Sequence, residues 1–405
     1  MPYPGGPHPV VPCTVLPRSS PVALALAGMA TLAVAMAIGR FAFTPLLPMM
    51  QSDAGLLLGT GAALASANYF GYFIGSATAL AIAGATHRWI RAGLLVVSAG
   101  TGAMAFTDLV WLWFVLRFVT GVASAWVLIL ASTWMFNRLV EAGQPRWGAL
   151  VFTGVGGGIA ATGAVCFILV LAGASSHATW LVLGLLSSVI TATVWRFYQP
   201  GASVGRSVDP AGAVRYGGPA RRLIAVYALY GFAYIVPATF LPLMARDALA
   251  VGGAAAWWYA GFWPLVGVAA ALSTLFTLRL KMSDDRQLRW ALLAEAVGVV
   301  APVLSLHPAA IALSAVLVGG TFVLITLTAL RVARAVDPVH GTRLFAVMTT
   351  LFALGQIAGP LVAGRMVALY GNFSLALAAA AACLLLAALL TPVAGTRSSG
   401  DSRLV

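Results

Sequence analysis

The chain has 405 residues, of which 61% are hydrophobic and only 8% are charged, and its mean hydropathy is +0.97. A soluble domain carries about 25% charged residues, so this composition excludes a soluble protein with a charged surface and indicates that most of the surface faces lipid. The net charge of +13 does not indicate nucleic-acid binding, because the basic residues stand in short clusters between apolar runs, as cytoplasmic loops do.

The chain begins with a proline- and glycine-rich segment, 1–20, which we expect to be a disordered cytoplasmic tail rather than a cleavable signal peptide. A flexible cytoplasmic linker is predicted at 199–220, and a second cytoplasmic tail at 395–405. Between them lie apolar runs without strand-period alternation, each long enough to cross a bilayer as a helix. They predict an all-α membrane protein with twelve transmembrane helices, over 21–48, 59–83, 92–107, 109–136, 148–172, 178–198, 221–244, 255–280, 290–306, 309–334, 343–368 and 373–392.

Lysine and arginine are distributed unequally between the two sides of this arrangement. Arg246 and Arg365 fall on one side, Arg40 and Arg117 fall within the membrane, and all the others fall on the opposite side. Because positive loops stay inside, we expect a multi-pass protein of the plasma membrane with both termini in the cytoplasm.

The two halves of the chain carry the same signals in the same order. The segment LPMMQSD at 47–53 returns as LPLMARD at 241–247, and the basic turn after the second helix returns after the eighth. An even number of helices in each half makes the repeat parallel, with its axis along the membrane normal. We therefore expect two pseudo-symmetric six-helix bundles, over 21–198 and 221–394.

Several stretches are more specific than the repeat. GRFAFTPLLPMM in the first helix, ANYFGYFIGS in the second and FALGQIAGPLVAG in the eleventh resemble the major facilitator superfamily, and within it the YbfB/YjiJ-type branch. The fourth helix carries the superfamily's R-x-x-x-G pattern at Arg117 and Gly121. The resemblance implies a transporter in which helices 1, 4, 7 and 10 line a central cavity and the bundles rock in alternating access.

The basic turns after the second and eighth helices resemble the superfamily's G-x-x-x-D-R-x-G-R loop. The first copy has both arginines of the pattern but not the acid or the glycines, whereas the second copy keeps the acid. The resemblance implies conformational gating loops that contain Arg88, Arg91, Asp285, Arg286 and Arg289.

Two arginines of the first half, Arg40 and Arg117, stand deep in apolar runs. At about 1.5 Å per residue, both lie roughly 12–14 Å below the outer end of their helices. Burying one charge at the bilayer centre costs at least about 2.5–3.5 kcal/mol, and this half offers no acid within the membrane. An anionic substrate is a suitable partner, because a guanidinium matches the geometry of carboxylate or phosphate. The alternative is that each arginine pairs with helix carbonyls or reaches water.

Four other polar side chains complete the predicted substrate site. Aligning the two copies places Tyr234 opposite Arg40, and Tyr230 shares its helix face. Asn68 in the second helix and Gln356 in the eleventh are polar groups within apolar runs. The alternative for all four is structural, with satisfied tyrosine hydroxyls and interhelical hydrogen bonds from the amides.

Glu295 is the one acid well inside an apolar run, which makes it a candidate for proton coupling. The alternative is that it pairs with Arg331 or reaches the interface. No ATP-binding loop, no nucleophile with a base and no metal-ligand spacing is visible, so we expect a protein that is not an enzyme and has no cofactor or metal. The expected partners are a small-molecule substrate, a proton and the lipid bilayer, without nucleic acid, and we expect a monomer.

The sequence thus predicts a secondary active or facilitative transporter of a small organic solute, most readily an anion. Two alternatives remain open. One is an exporter of lipophilic compounds or drugs by proton antiport, although the acids that a cationic drug needs are absent. The other is a membrane sensor on the same fold that transports nothing.

Overall fold

The computed structural model describes residues 20–79, 82, 85–199, 216–251, 256–277, 282–338 and 340–392. These residues form helices and no β-strand. The predicted tails and linker lie outside the described residues, apart from positions 20, 199 and 216–220.

Twelve helical segments follow one another in this part of the chain. They are α1 (Pro21–Asp53), α2 (Leu58–Ala79), α3 (Thr86–Phe106), α4 (Val110–Glu141), α5 (Gly148–Leu171), α6 (Ser176–Phe197), α7 (Gly218–Val251), α8 (Phe262–Thr277), α9 (Asp284–Leu304), α10 (Pro308–Val336), α11 (Gly341–Tyr370) and α12 (Ser374–Leu390). Within the described ranges, nine helices are long and apolar enough to cross a membrane; α2, α8 and α12 are shorter or more polar. The chain is therefore a multi-pass membrane protein.

Several predicted helix boundaries were wrong. α1, α4 and α7 end at Asp53, Glu141 and Val251, which is five to seven residues later than expected. α3 begins at Thr86 and α9 at Asp284, six residues earlier than expected in each case, because long basic side chains reach water while the helix backbone continues. In α9 the acids of the first turn also interact favourably with the helix dipole. The residues that this correction moves from gating loops to helices are Arg88, Arg91, Asp285, Arg286 and Arg289.

The first helix, α1, is irregular in its middle. Residues Ala33–Phe41 form a π-helix, a conformation that is rare and frequent at functional sites. Pro45 and Pro48 follow within the next two turns, and a proline supplies no N–H to the turn before it. Arg40 therefore stands in a turn whose carbonyl groups have fewer helical donors than usual.

The two halves of the chain make the same helix contacts. α1 packs on α5, α2 on α4, and α3 on α4 and α6; α7 packs on α11, α8 on α10, and α9 on α10 and α12. One hydrogen bond is repeated as well. Arg91 donates to the carbonyl of Trp195 over 3.1 Å, and Arg289 donates to the carbonyl of Thr391 over 3.2 Å. The fold is thus two pseudo-symmetric six-helix bundles.

The bundles meet where α5 packs on α8, where α2 packs on α11, and where α1 packs on α7. Hydrogen bonds cross this boundary between side chains and backbone: Thr44 donates to the carbonyl of Ala238 over 2.9 Å, and Ser66 donates to the carbonyl of Ile357 over 3.0 Å. The first of these bonds has a reason in the sequence, because Pro242 lies four residues after Ala238 and leaves its carbonyl without a helical donor.

Helices α2 and α4 lie unusually close together because glycines face the neighbouring backbone. A Cβ on Gly121 would lie 2.1 Å from the carbonyl oxygen of Asn68, and a Cβ on Gly71 would lie 2.0 Å from that of Phe118. These contacts require glycine. They place the polar residues of α2 within reach of Arg117.

We expect Gly121→Ala to destabilise the protein by about 1–3 kcal/mol, because the added methyl group forces α2 and α4 apart. Thermal unfolding in detergent measures the loss. Gly157→Ala is the matched control, since a Cβ there meets nothing within 4 Å, and it should leave the melting temperature unchanged or slightly raised. Equal melting temperatures for both variants would contradict the close approach.

Candidate functional site

Arg40 is the centre of the candidate site. Its side chain is buried, with 3% of the residue exposed, and its Nη2 donates to Oε1 of Gln356 on α11. The guanidinium carbon lies 4.0 Å from the ring centre of Tyr72 and 5.1 Å from that of Tyr69, both on α2. A cation over an aromatic face is attracted by the ring quadrupole. Aromatic rings of one bundle and an amide of the other thus hold the charge.

No carboxylate compensates this charge among the described residues. None of the ion pairs in that part of the chain includes Arg40 or Arg117, and the Nε of Arg40 is buried without a hydrogen-bond partner. In a guanidinium, Nε and Nη2 share one edge and together form the fork that fits a carboxylate. In this structure Gln356 uses one half of that fork and the other half is free.

Arg117 of α4 lies beside the same turn of α1. Its Nη2 donates to the carbonyl of Arg40 over 3.0 Å and its Nη1 to that of Gly39 over 3.4 Å. Pro45 removes the helical donor of the Phe41 carbonyl, four residues before it, and Arg117 binds the two carbonyls that precede that one. Arg117 therefore lies as in the alternative given above, in which the arginine pairs with helix carbonyls. The two arginines lie side by side, at the similar depth that the spacing predicts.

Asn68 strengthens the same arrangement from α2. Its amide nitrogen lies 2.8 Å from the carbonyl oxygen of Arg117, 3.3 Å from that of Gly39 and 3.3 Å from the hydroxyl of Thr120. Asn68 therefore forms interhelical hydrogen bonds, as the structural alternative for this residue predicts. Asn68 and Arg117 together fix the backbone that carries Arg40.

The second bundle brings aromatic rings to Phe41, the residue that follows Arg40. The ring of Tyr234 stacks on Phe322 at 4.7 Å, and Phe322 meets Phe41 edge-on at 6.0 Å. Tyr230 packs on Tyr234 at 5.6 Å, and its hydroxyl donates to the carbonyl of Phe322 over 3.2 Å. The structure therefore brings Tyr234 and Tyr230 to the site as ring surfaces. We call the following six residues the interbundle aromatic cluster: Phe41, Tyr72, Tyr230, Tyr234, Phe322 and Phe352.

Glu295 of α9 lies within the second bundle and is fully buried. Its Oε2 accepts a hydrogen bond from the hydroxyl of Thr321 over 3.2 Å, and its Oε1 has no partner. The predicted alternative partner, Arg331, instead pairs with Asp284 over 3.2 Å. Thr321 precedes Phe322 of the interbundle aromatic cluster, so the acid is one residue away from the rings that face Arg40.

Sequence reasoning missed the contacts near the C-terminal ends of α1 and α7. Arg246 donates to the carbonyl of Pro48 over 3.1 Å and to the side chain of Gln51 over 3.0 Å. The signal was present, because a basic residue beside the repeated Leu-Pro motif is unusual on the arginine-poor side. Tyr69 is a polar side chain within an apolar run, and its hydroxyl lies 3.2 Å from that of Thr239 across the same boundary.

The fold and the site can now be compared with known proteins. A family model described as the uncharacterised MFS-type transporter YbfB matches residues 32–392. The chain belongs to this family. It is therefore an MFS-type membrane transport protein, and the resemblance found in the sequence is confirmed.

Two crystal structures of the nucleoside transporter NupG resemble the fold. A point mutant of NupG matches with a TM-score of 0.67 and 16% identity, over 90% of this chain and 98% of that one. The other NupG structure matches with a TM-score of 0.62 and 17% identity, over 91% and 98%. At this identity the similarity shows a shared fold alone. No curated protein matches the chain.

The role of Arg117 as a backbone donor can be tested with a double-mutant cycle. Arg117→Met should destabilise the protein because it removes the hydrogen bonds from Arg117 to the carbonyls of Gly39 and Arg40. Asn68→Leu removes the other side-chain donor to the carbonyl of Gly39, so the double variant should be less stable than the sum of the single effects predicts, by about 1 kcal/mol. Detergent unfolding of the four proteins gives the coupling, and strict additivity would contradict the role.

Proposed function

We propose that the protein is a secondary transporter that moves a small organic anion across the plasma membrane by alternating access, with both termini in the cytoplasm. The observation that carries this proposal is the pairing of Arg40. A buried guanidinium at the boundary of the two bundles has a neutral amide as its hydrogen-bond partner and leaves Nε unused.

A carboxylate fits this place for electrostatic reasons. Inserting an arginine at the bilayer centre costs at least about 2.5–3.5 kcal/mol, and a carboxylate offsets that cost better than an amide, because its full negative charge attracts the guanidinium and because it can accept two parallel hydrogen bonds. The anion accepts hydrogen bonds from Nε and Nη2, which form one edge of the guanidinium. Gln356 then turns its amide nitrogen toward the same anion, since the amide carries a donor beside its acceptor.

This exchange links binding to movement. Arg40 belongs to the first bundle and Gln356 to the second, so a bound anion bridges the two bundles in place of their direct bond. Other contacts between the bundles, from Arg246 to Pro48 and from Thr44 to Ala238, lie nearer the outer end of α1 when the termini are cytoplasmic. They support a conformation closed toward the outside. Rocking of the bundles breaks these contacts and opens the outer side.

Arg117 acts in this proposal as a positioning residue, because both of its Nη atoms donate to the backbone of α1. Tyr234 and Tyr230 form the opposite wall. Glu295 is the proton-binding group, because a fully buried carboxyl with one unpartnered oxygen has a site for a proton. Glu295 accepts a hydrogen bond from Thr321, which precedes Phe322 in the chain. A proton on Glu295 is therefore close to the interbundle aromatic cluster.

The central experiment is counterflow in proteoliposomes with radiolabelled organic acids. Arg40→Ala should reduce exchange by at least about 10- to 100-fold, the effect of one lost charged hydrogen bond of about 1.5–3 kcal/mol. Arg40→Lys should also fail, because an ammonium lacks the fork. Arg365→Ala, an exposed arginine on α11, is the control and should keep full exchange.

The same assay separates the alternatives. Exchange of uridine in place of acids, unchanged in Arg40→Ala, would favour a nucleoside carrier like NupG. Exchange of lipophilic cations that follows a pH gradient would favour a drug exporter. A folded protein without exchange of any of these solutes would favour a sensor.

Proton coupling is tested by driving uptake with a pH gradient. Glu295→Gln should abolish accumulation driven by the gradient while leaving counterflow intact, because the amide keeps the hydrogen bond to Thr321 but cannot release a proton. Asp337→Gln, on the loop after α10, is the control and should accumulate normally. Gradient-driven accumulation at the normal level in Glu295→Gln would show that another group couples transport.

A further inference from the structure

We infer that the anion is an aromatic carboxylate, whose ring lies between the two bundles while its carboxylate binds Arg40. This inference rests on the proposed function and specifies its substrate class. It comes from the chemistry of the walls around Arg40, which are aromatic on both sides.

On the side of the first bundle, the guanidinium itself is stacked. Tyr72 lies 4.0 Å from the guanidinium carbon, measured to the ring centre, and Tyr69 and Phe41 lie at 5.1 and 5.3 Å. An arginine held against ring faces keeps its plane fixed. A carboxylate on its Nε–Nη2 edge therefore lies beside this stack, and the group attached to the carboxylate points away from Arg40 toward the second bundle.

On the side of the second bundle, the walls are ring faces. Tyr234 stacks on Phe322 with an angle of 6° between the ring planes, and Phe352 is nearly parallel to Tyr234, at 20° and 6.4 Å. Tyr230 adds a fourth ring at 5.4 Å from Phe352. Aromatic rings pair with one another in offset-stacked or edge-on arrangements, and such pairs contribute free energy beyond the apolar area that they bury. A saturated ring has no π-system and gains only from burial of its area.

The hydrogen-bonding groups around these rings are largely in use. The hydroxyl of Tyr230 donates to a backbone carbonyl, that of Tyr227 lies 3.4 Å from Thr326, and that of Tyr69 lies 3.2 Å from Thr239. A sugar or another polyhydroxylated acid needs many free donors and acceptors, and would leave its own polar groups unpaired here. A ring with a single acid group needs only Arg40 and Gln356.

The closed structure leaves little space for such a ring. The cavity beside Tyr234, Phe322 and Trp263 has a volume of about 10 Å³, enough for about one water molecule. The ring enters by separating Phe41 from Phe322, the contact that joins the two bundles within the interbundle aromatic cluster. The movement that separates the bundles thus admits the ring and also allows the carboxylate to replace Gln356 at Arg40.

The test uses matched pairs of acids that differ only in aromaticity: benzoate with cyclohexanecarboxylate, and phenylacetate with cyclohexylacetate. Titration calorimetry of the purified full-length protein gives the dissociation constant of each. We expect at least one aromatic acid to bind about tenfold more tightly than its saturated partner. Benzyl alcohol, which has the ring without the charge, should not bind.

The outcomes separate this inference from the proposed function. Equal binding of both members of every pair, lost in Arg40→Ala, overturns the aromatic inference and leaves the anion site standing. Binding of benzyl alcohol as tight as that of benzoate, unchanged in Arg40→Ala, overturns both. Binding of none of these acids also overturns both.

Variants of the cluster give an independent readout. Phe352→Leu and Phe322→Leu should reduce the ratio of aromatic to saturated affinity toward one, because leucine keeps an apolar contact but has no ring face. Phe240→Leu is the matched control: Phe240 is buried and pairs with Phe373 at 5.2 Å, away from the cluster. An unchanged ratio in both cluster variants would overturn the inference, and because the ratio is taken within one protein, partial loss of stability does not obscure it.

Discussion

The structure depends on a buried arginine whose charge no acid of the described residues compensates. Arg40 is held by the amide of Gln356 and by the rings of Tyr69 and Tyr72, and no acid of the described residues pairs with it. A charge kept in this way raises the free energy of the empty protein relative to one with an ionic partner. It also gives the empty protein a preference for anions that a core of apolar side chains does not have.

The surrounding backbone is arranged so that this arginine can stay in place. Part of α1 is a π-helix, and Arg117 and Asn68 donate to carbonyls of that segment from two other helices. The second half of the chain has the same proline motif but a different use for it. There Pro242 leaves the carbonyl of Ala238 without a helical donor, and the hydroxyl of Thr44 in the first half donates a hydrogen bond to it. The same sequence motif thus serves two purposes, and the buried arginines occupy only the first copy.

Much of the fold could be predicted from the sequence, because apolar runs and loop charges report directly on the membrane. The depth of Arg40 and Arg117 followed from their distances to the helix ends. The partners of these side chains did not follow. Gln356 is far from Arg40 in the chain, and its side chain carries both a donor and an acceptor, so composition cannot distinguish an interhelical bond from a substrate contact. The contribution of Phe322 was invisible for a related reason, since one phenylalanine in an apolar helix looks like any other.

The central claim is that Arg40 binds the carboxylate itself, and magic-angle-spinning NMR tests it most directly. Protein labelled with ¹⁵N-arginine is reconstituted in lipid with benzoate that carries ¹³C in its carboxyl group, and dipolar dephasing measures the distance between the two labels. The account predicts a distance of about 4 Å, as a bidentate pair requires, and its disappearance in Arg40→Lys. No dephasing in the native protein while benzoate is bound, or the same dephasing in Arg40→Lys, would contradict the account.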